Sequence, residues 1–158
     1  MVAEPRQRRA MEIDKFWVVT VSADHAARGR EAGIVQACHG KAAPLRRMKP
    51  GDGVVIYSPR DAFKDGAPLM AFTAIGRINA QDPFPFDMGG GFIPWRRGVD
   101  WQPNAVAMPI RPVLDQLDLT RRQKSWGMVF RLGLAPMTRS DFALIARQMV
   151  SPGQAIPF

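Results

Sequence analysis

Apolar residues crowd into a few short runs separated by polar and turn-forming stretches. The first run, Phe16 to Val21, is aromatic and β-branched without a polar break, the pattern of a strand covered on both faces. Ser22 stands where a helix cap belongs, His25 to Ala32 is helix-forming, and Gly33 follows as a left-handed terminator. A short helix is therefore expected directly after the strand. Ala42 to Met48, with Pro44 near its start, predicts a second short helix ahead of the sharp turn Lys49-Pro50-Gly51-Asp52-Gly53. Val54 to Ser58 and Leu69 to Ile78 read as the next two strands, paired across an irregular connection that contains Asp65-Gly66. Phe92 to Trp101 predicts a fourth strand, confined by Pro94 to an edge or a bulge. Arg111 to Leu117 reads as a short helix opened by Pro112, and Val129 to Leu134 as a further strand. From Thr138 to Met149 the period changes to that of a helix: Phe142, Ile145, Ala146 and Met149 share one face, and Thr138 with Asp141 forms a capping arrangement. Strands joined by long loops and punctuated by short helices imply an α+β fold, a small mixed β-barrel with short helices packed on its outside.

Composition sharpens this picture in two respects. At 158 residues, 46% hydrophobic and 23% charged, the chain has the make-up of one ordinary globular domain. The domain is expected over residues 15–158, behind a basic flexible N-terminal arm at 1–14 that carries Arg6, Arg8 and Arg9. No apolar run is long enough to span a bilayer and the arginine-rich start lacks the apolar stretch of a secretory signal, so the expected location is cytoplasmic, with no membrane partner. A lone Cys38 fits a reducing compartment and excludes an internal disulfide framework. Lysine and arginine outnumber the acids 22 to 14, a net charge of +8 spread along the chain. Such a balance suits a polyanionic partner, because each neutralised phosphate releases counterions; solubility alone is the competing explanation.

The residues that would signal catalysis are sparse. One cysteine and two histidines, His25 and His39, do not make a closed zinc site without carboxylate help, so neither a metal nor another cofactor is expected. Gly89 to Gly91 lacks the lysine and hydroxyl of a phosphate-cradling loop and reads as a flexible hairpin or bulge. Cys38-His39 has no third orienting group in view, and the acids are scattered. The expectation is a binding protein and not an enzyme.

What does recur is aromatic beside basic: Phe16-Trp17, Cys38-His39-Gly40-Lys41, Tyr57-Ser58-Pro59, Pro94-Trp95-Arg96-Arg97 and Ser125-Trp126-Gly127. An aromatic face stacks on a nucleic acid base at about 1–3 kcal/mol, while arginine and lysine hold the phosphates on either side. Against this stands the plainer reading that Trp17, Phe72 and Trp101 are core residues.

The order of these segments resembles a known family. Phe16-Trp17 to Ser22, Gln36-Ala37-Cys38-His39-Gly40-Lys41-Ala42-Ala43-Pro44-Leu45, Met48-Lys49-Pro50-Gly51-Asp52 and Tyr57-Ser58-Pro59 are similar to the EVE domain family. Phe72 to Arg77, Phe86-Asp87-Met88, Pro94-Trp95-Arg96-Arg97, Pro109-Ile110-Arg111-Pro112 and Trp126-Gly127 continue the likeness in register to about Met149. The resemblance implies a PUA-like barrel related to YTH readers of methylated adenine, whose members hold a modified or flipped base in an aromatic pocket. By analogy Trp17, Ser22 and Gln36 lie near the ligand. Val35 stands where many YTH domains carry a tryptophan, so the cage is to be completed from Tyr57, Phe72, Trp95 and Trp126. Gln36 and Ser58 are the candidates for reading the base edge by hydrogen bonds. His39 and Lys41 are phosphate-contact candidates, although His39 is equally suited to capping and packing, and Arg96 and Arg97 are candidates for a backbone clamp or a solvated basic edge. The function implied is a nucleic-acid-binding reader of DNA or RNA carrying a modified base. A small-molecule or nucleotide sensor using the same pocket is the main rival, and an RNA-modifying enzyme the weakest alternative.

Overall fold

A computed structural model describes residues 15–150, so the expected basic arm lies outside the described residues. The two-sided apolar runs form the centre of one curled, half-barrel sheet. β1 (Phe16–Thr20) pairs in parallel with β3 (Gly53–Arg60) and antiparallel with β8 (Leu134–Met137); β3 pairs antiparallel with β4 (Pro68–Ile78). β4 pairs with β6 (Trp95–Trp101), which also carries β2 (Ile34–Val35), giving the order β2-β6-β4-β3-β1-β8. Two short ribbons complete it: β5 (Phe84–Pro85) on β6 and β7 (Met108–Pro109) on β4.

Alternation along the central strands divides the core in two. Phe16 and Val18 of β1, Val55 and Tyr57 of β3, and Phe72 and Ile75 of β4 face one cluster. There helix α3 (Arg139–Met149) buries Phe142, Ile145, Ala146 and Met149, the face its periodicity defined. Thr138 caps that helix, its hydroxyl accepting from the Asp141 amide at 3.1 Å. Trp17 and Val19, Val54 and Ile56, and Ala74 face the second cluster, closed by α1 (Ala23–Ala32) through Ala26 and by Leu45 of α2 (Ala42–Arg47) with the following Met48. A register shift after Ile56 pairs Tyr57 with Phe72 while Ile56 pairs with Ala74; this bulge keeps Phe72 and Ile75 on the same side of the sheet.

The α+β architecture with few short helices is the one expected, with local differences. Ser22 has the extended geometry of a helix cap, but its hydroxyl bonds the Asp24 carboxylate and no helix amide; Gly33 closes α1 at φ 70°, as anticipated. The fourth strand starts at Trp95, because residues 88–92 close a hairpin through Met88 N–H to Phe92 O (3.0 Å) and Phe92 N–H to Gly89 O (3.1 Å). The helix expected from Arg111 is one 3₁₀ turn, Arg111–Val113, continued by turns. The strand expected at 129–134 is instead a 3₁₀ segment, Trp126–Leu132, and the strand follows it at Leu134–Met137. Trp126, Val129 and Phe130 pack inward at a helical spacing of three to four, leaving Met128 and Leu132 exposed, and Gly133 at φ 78° ends the segment. Among the described residues no helix is long and apolar enough to cross a membrane.

Candidate functional site

A cavity of about 450 Å³ opens where β1 hands over to α1. One wall is Thr20 to Ser22 with His25, Arg28 and Gly29 of α1; another is the backbone from Ile34 to Gly40; Ile56 lies behind. Phe63, from the loop between β3 and β4, Met88 and Phe92 from the glycine hairpin, and Arg96 from β6 complete the lining. Such a volume lies in the range of small-ligand pockets.

Its walls are held by backbone that the core positions. Val21 N–H donates to Tyr57 O at 3.2 Å and Thr20 N–H to Gly133 O at 3.0 Å, fixing the end of β1 between β3 and the 3₁₀ segment. Beyond β2 the chain takes three consecutive left-handed residues, Cys38 (φ 51°), His39 (φ 60°) and Gly40 (φ 81°). For the first two this conformation costs on the order of 1–3 kcal/mol each, and such strain concentrates at sites of function. Gly40 has a steric reason as well: a Cβ there would stand 2.5 Å from Pro94 Cβ, so only glycine lets the turn lie against the hairpin's return strand. The Cys38 thiol donates to Leu132 O at 3.6 Å, tying the turn to the 3₁₀ segment. Gly89, Gly90 and Gly91 all have positive φ, the hairpin geometry anticipated for the triple glycine.

The aromatic content comes from the rim. His25 and Phe63 stack, with ring centroids 5.7 Å apart and planes 19° from parallel. Phe63 and Phe92 are 57% and 50% exposed, enough to offer ring faces to a ligand. Charge at the lining is cationic: Arg28 and Arg96, with His25 and His39 beside them. Burial lowers the Arg96 guanidinium from its ordinary value, while the Ser22 hydroxyl bond holds Asp24, in the first turn of α1, below the usual carboxylate range. Among the described residues no group of three or more His, Cys, Asp or Glu is arranged to hold a metal ion.

Of the residues singled out from sequence, Ser22, Gln36, His39 and Arg96 line this cavity, and exposed Lys41 follows Gly40 at the start of α2. The anticipated cage does not converge. Trp17 is buried, its indole N–H donating to Asp52 at 2.9 Å and its ring covered by Arg47 at 5.1 Å. Trp95 packs against the same cluster under Arg46. Tyr57 and Phe72 belong to the opposite cluster, Tyr57 stacking on Phe130 at 4.0 Å, and Trp126 meets Phe130 edge-on from the outside with Arg111 over its ring. Ser58 is fully buried and hydrogen bonded to the Thr73 hydroxyl at 2.7 Å. Arg97 is 3% exposed and its Nε has no partner among the described residues, so it is no external phosphate clamp as placed. The interleaving of aromatic and basic residues is real, but it is largely consumed by cation–π contacts within the chain.

Among the lining residues that the sequence did not point to are His25, Arg28, Phe63, Met88 and Phe92. Phe63 lies among Asp61, Lys64, Asp65 and Gly66, and Phe92 follows three glycines. A large apolar ring set among turn residues belongs to no strand or helix face, and that was the available signal.

The EVE domain profile matches residues 15–148. A UPF0310 protein of Mesorhizobium japonicum is 50% identical over 141 residues, covering 87% of this chain and 93% of its own. The UPF0310 protein YdcG of Bacillus subtilis is 38% identical over 134 residues, with coverage of 85% and 91%. A crystal structure of an Agrobacterium tumefaciens protein superposes with a TM-score of 0.51 at 15% identity, over 83% of this chain and 90% of that one, a likeness of fold alone.

Proposed function

Since the chain belongs to the EVE domain family, we propose that it is a nucleic-acid reader whose cavity beside α1 takes one flipped or unpaired base, a methylated base above others. The observation that carries this is the pairing of a cavity with room for a base, lined by Val21, Ile34, Val35, Phe63 and Phe92, with a rim whose charged members are Arg28 and Arg96. Stacking on an aromatic ring is sequence-tolerant, and cationic groups at the rim favour a phosphate backbone over a neutral ligand. The aliphatic wall gives a reason for methylation to be favoured: burying one methyl group contributes about 0.8 kcal/mol, roughly fourfold in affinity. Extruding a base from a duplex costs a few kcal/mol, so an unpaired base is the easier substrate. In this reading the protein binds and performs no covalent step.

The size of the cavity also favours one rival, a sensor of a free nucleotide or similar metabolite. Titration of single-stranded oligonucleotides with and without a methylated base, at two salt concentrations, tests the reading. The expected result is binding that weakens with salt and is several-fold tighter for a methylated strand. Absence of binding to any strand overturns it, and a small molecule retained through purification that no oligonucleotide displaces establishes the sensor instead.

A further inference from the structure

We infer that Gln36 reads the bound base as a hydrogen-bond donor only, with Arg96 as the positioning residue that holds its amide one way round, so that the ligand presents an acceptor atom there. The inference rests on the proposed reading of the cavity as a base pocket and specifies which edge that pocket selects.

β2 and β6 run antiparallel with Ile34 opposite Gly98 and Val35 opposite Arg97; Gln36 directly follows β2, and continuing that register by one residue sets it across from Arg96. Residues directly opposite in an antiparallel pair project to the same face. Both side chains line the cavity. With the Gln36 carbonyl turned toward Arg96, Oε1 accepts from Arg96 Nε at 2.8 Å and from Arg96 Nη2 at 3.3 Å. In the reversed orientation the amide nitrogen would face those guanidinium donors, with only the Met88 thioether, 3.9 Å away, to receive it. A thioether is a weak acceptor and a guanidinium a strong, charged donor, which decides the orientation.

Arg96 is itself constrained. Its guanidinium carbon lies 3.8 Å from the centroid of the Phe86 ring, and Phe86 N–H is fixed to Pro94 O at 2.9 Å. The guanidinium thus occupies the Gln36 carbonyl with two donors, and the group that Gln36 can offer a ligand is its NH₂. A free glutamine can rotate to match donor or acceptor edges alike; rotation here would discard the charge-assisted pair, making the reversed amide rarer by about tenfold or more. Selectivity then comes from Gln36 by contact and from Arg96 through Gln36.

The test uses the full chain and a panel of otherwise identical single strands that carry cytosine, 5-methylcytosine, thymine, adenine, N6-methyladenine or guanine, or an abasic site, at one central position. Wild type, Gln36→Glu and Arg96→Ala are compared, with thermal melts of each protein alongside. Glutamate keeps the pairing with Arg96 but accepts hydrogen bonds and donates none. The expected result is that Gln36→Glu weakens every strand, the abasic one included, by a common factor from its added negative charge, and beyond that loses about tenfold or more on the base that wild type prefers and reorders the panel. Arg96→Ala is expected to narrow the spread across bases, since the amide is free to turn. If both variants weaken every base by one common factor and keep the wild-type order, Gln36 only supports the wall and the inference is overturned. A wild-type protein that binds the abasic strand as tightly as every base-bearing strand overturns the base-pocket reading instead, and this inference with it.

Discussion

Trp17 and Trp95 lie beneath α2, where Arg47 and Arg46 cover their rings, whereas Phe63 and Phe92 stand half open at the mouth of the cavity. All four are large aromatic side chains; each tryptophan has an arginine over its ring, and Phe63 stacks on His25. They differ in the element that carries them. The tryptophans sit on strands whose faces are covered by helices, so burial of large apolar area decides their position. The phenylalanines sit in loops with no opposing layer. A tryptophan beside an arginine therefore says little about ligand binding until the covering element is known, while a phenylalanine stranded in a turn says more.

The largest effects should separate the two groups by stability. Phe72→Ala and Trp17→Ala are expected to cost about 3–5 kcal/mol in urea unfolding, from lost burial plus the cavity left behind. Phe92→Ala and Phe63→Ala, half exposed, are expected to cost less than about 1 kcal/mol. A similar loss for all four would erase the distinction. Next, Tyr57 is the only tyrosine, so a native absorbance titration reports it alone. Burial pushes its phenol up to about 12 from 10.0, so the folded protein retains a proton that the unfolded chain releases. Stability from the buried neutral phenol is complete below pH 10 and is lost as pH rises toward 12. A native midpoint near 10 would place Tyr57 in contact with solvent and bring it back as a pocket residue.

Binding should show the reverse ranking. Phe92→Ala or Phe63→Ala is expected to weaken a base-bearing strand by about 1–3 kcal/mol per lost stacking face while leaving the unfolding m-value unchanged. The smallest effect belongs to the rim. Arg28→Gln and Lys41→Gln should each lower the slope of log affinity against log salt by about one and weaken all strands alike. A change in base preference from either would contradict a purely electrostatic role.

Much of the fold was legible because its signals are local and redundant. The aromatic and β-branched run starting at Phe16 could be buried on two faces, and Phe16 to Val19 are; the Thr138 cap, the Gly33 terminator and the α3 face each reported their own element. The 3₁₀ segment at Trp126–Leu132 was missed because Val129 to Leu134 is rich in apolar residues, and only their spacing of three to four distinguishes it from a strand. The site was less legible for a different reason. Its lining comes from separate stretches near residues 20–29, 34–40, 56, 63, 88–92 and 96, and no periodicity links them. Gln36, His39 and Arg96 were accessible through the family resemblance, since they lie in the segments that carry it. Tyr57 and Ser58 lie in them too, yet face the interior, because a segment fixes the neighbourhood of a residue and the pleat decides its side.

On the proposed reading, Phe63 and Phe92, rather than the tryptophans, hold a base in the cavity. The most direct measurement of this is the ratio of affinities for a base-bearing and an abasic strand, taken by fluorescence anisotropy for wild type and for the Phe63→Ala/Phe92→Ala double variant. The account predicts a wild-type ratio well above one that falls close to one in the double variant, with abasic affinity and its salt dependence unchanged. A double variant that keeps the wild-type ratio would contradict it.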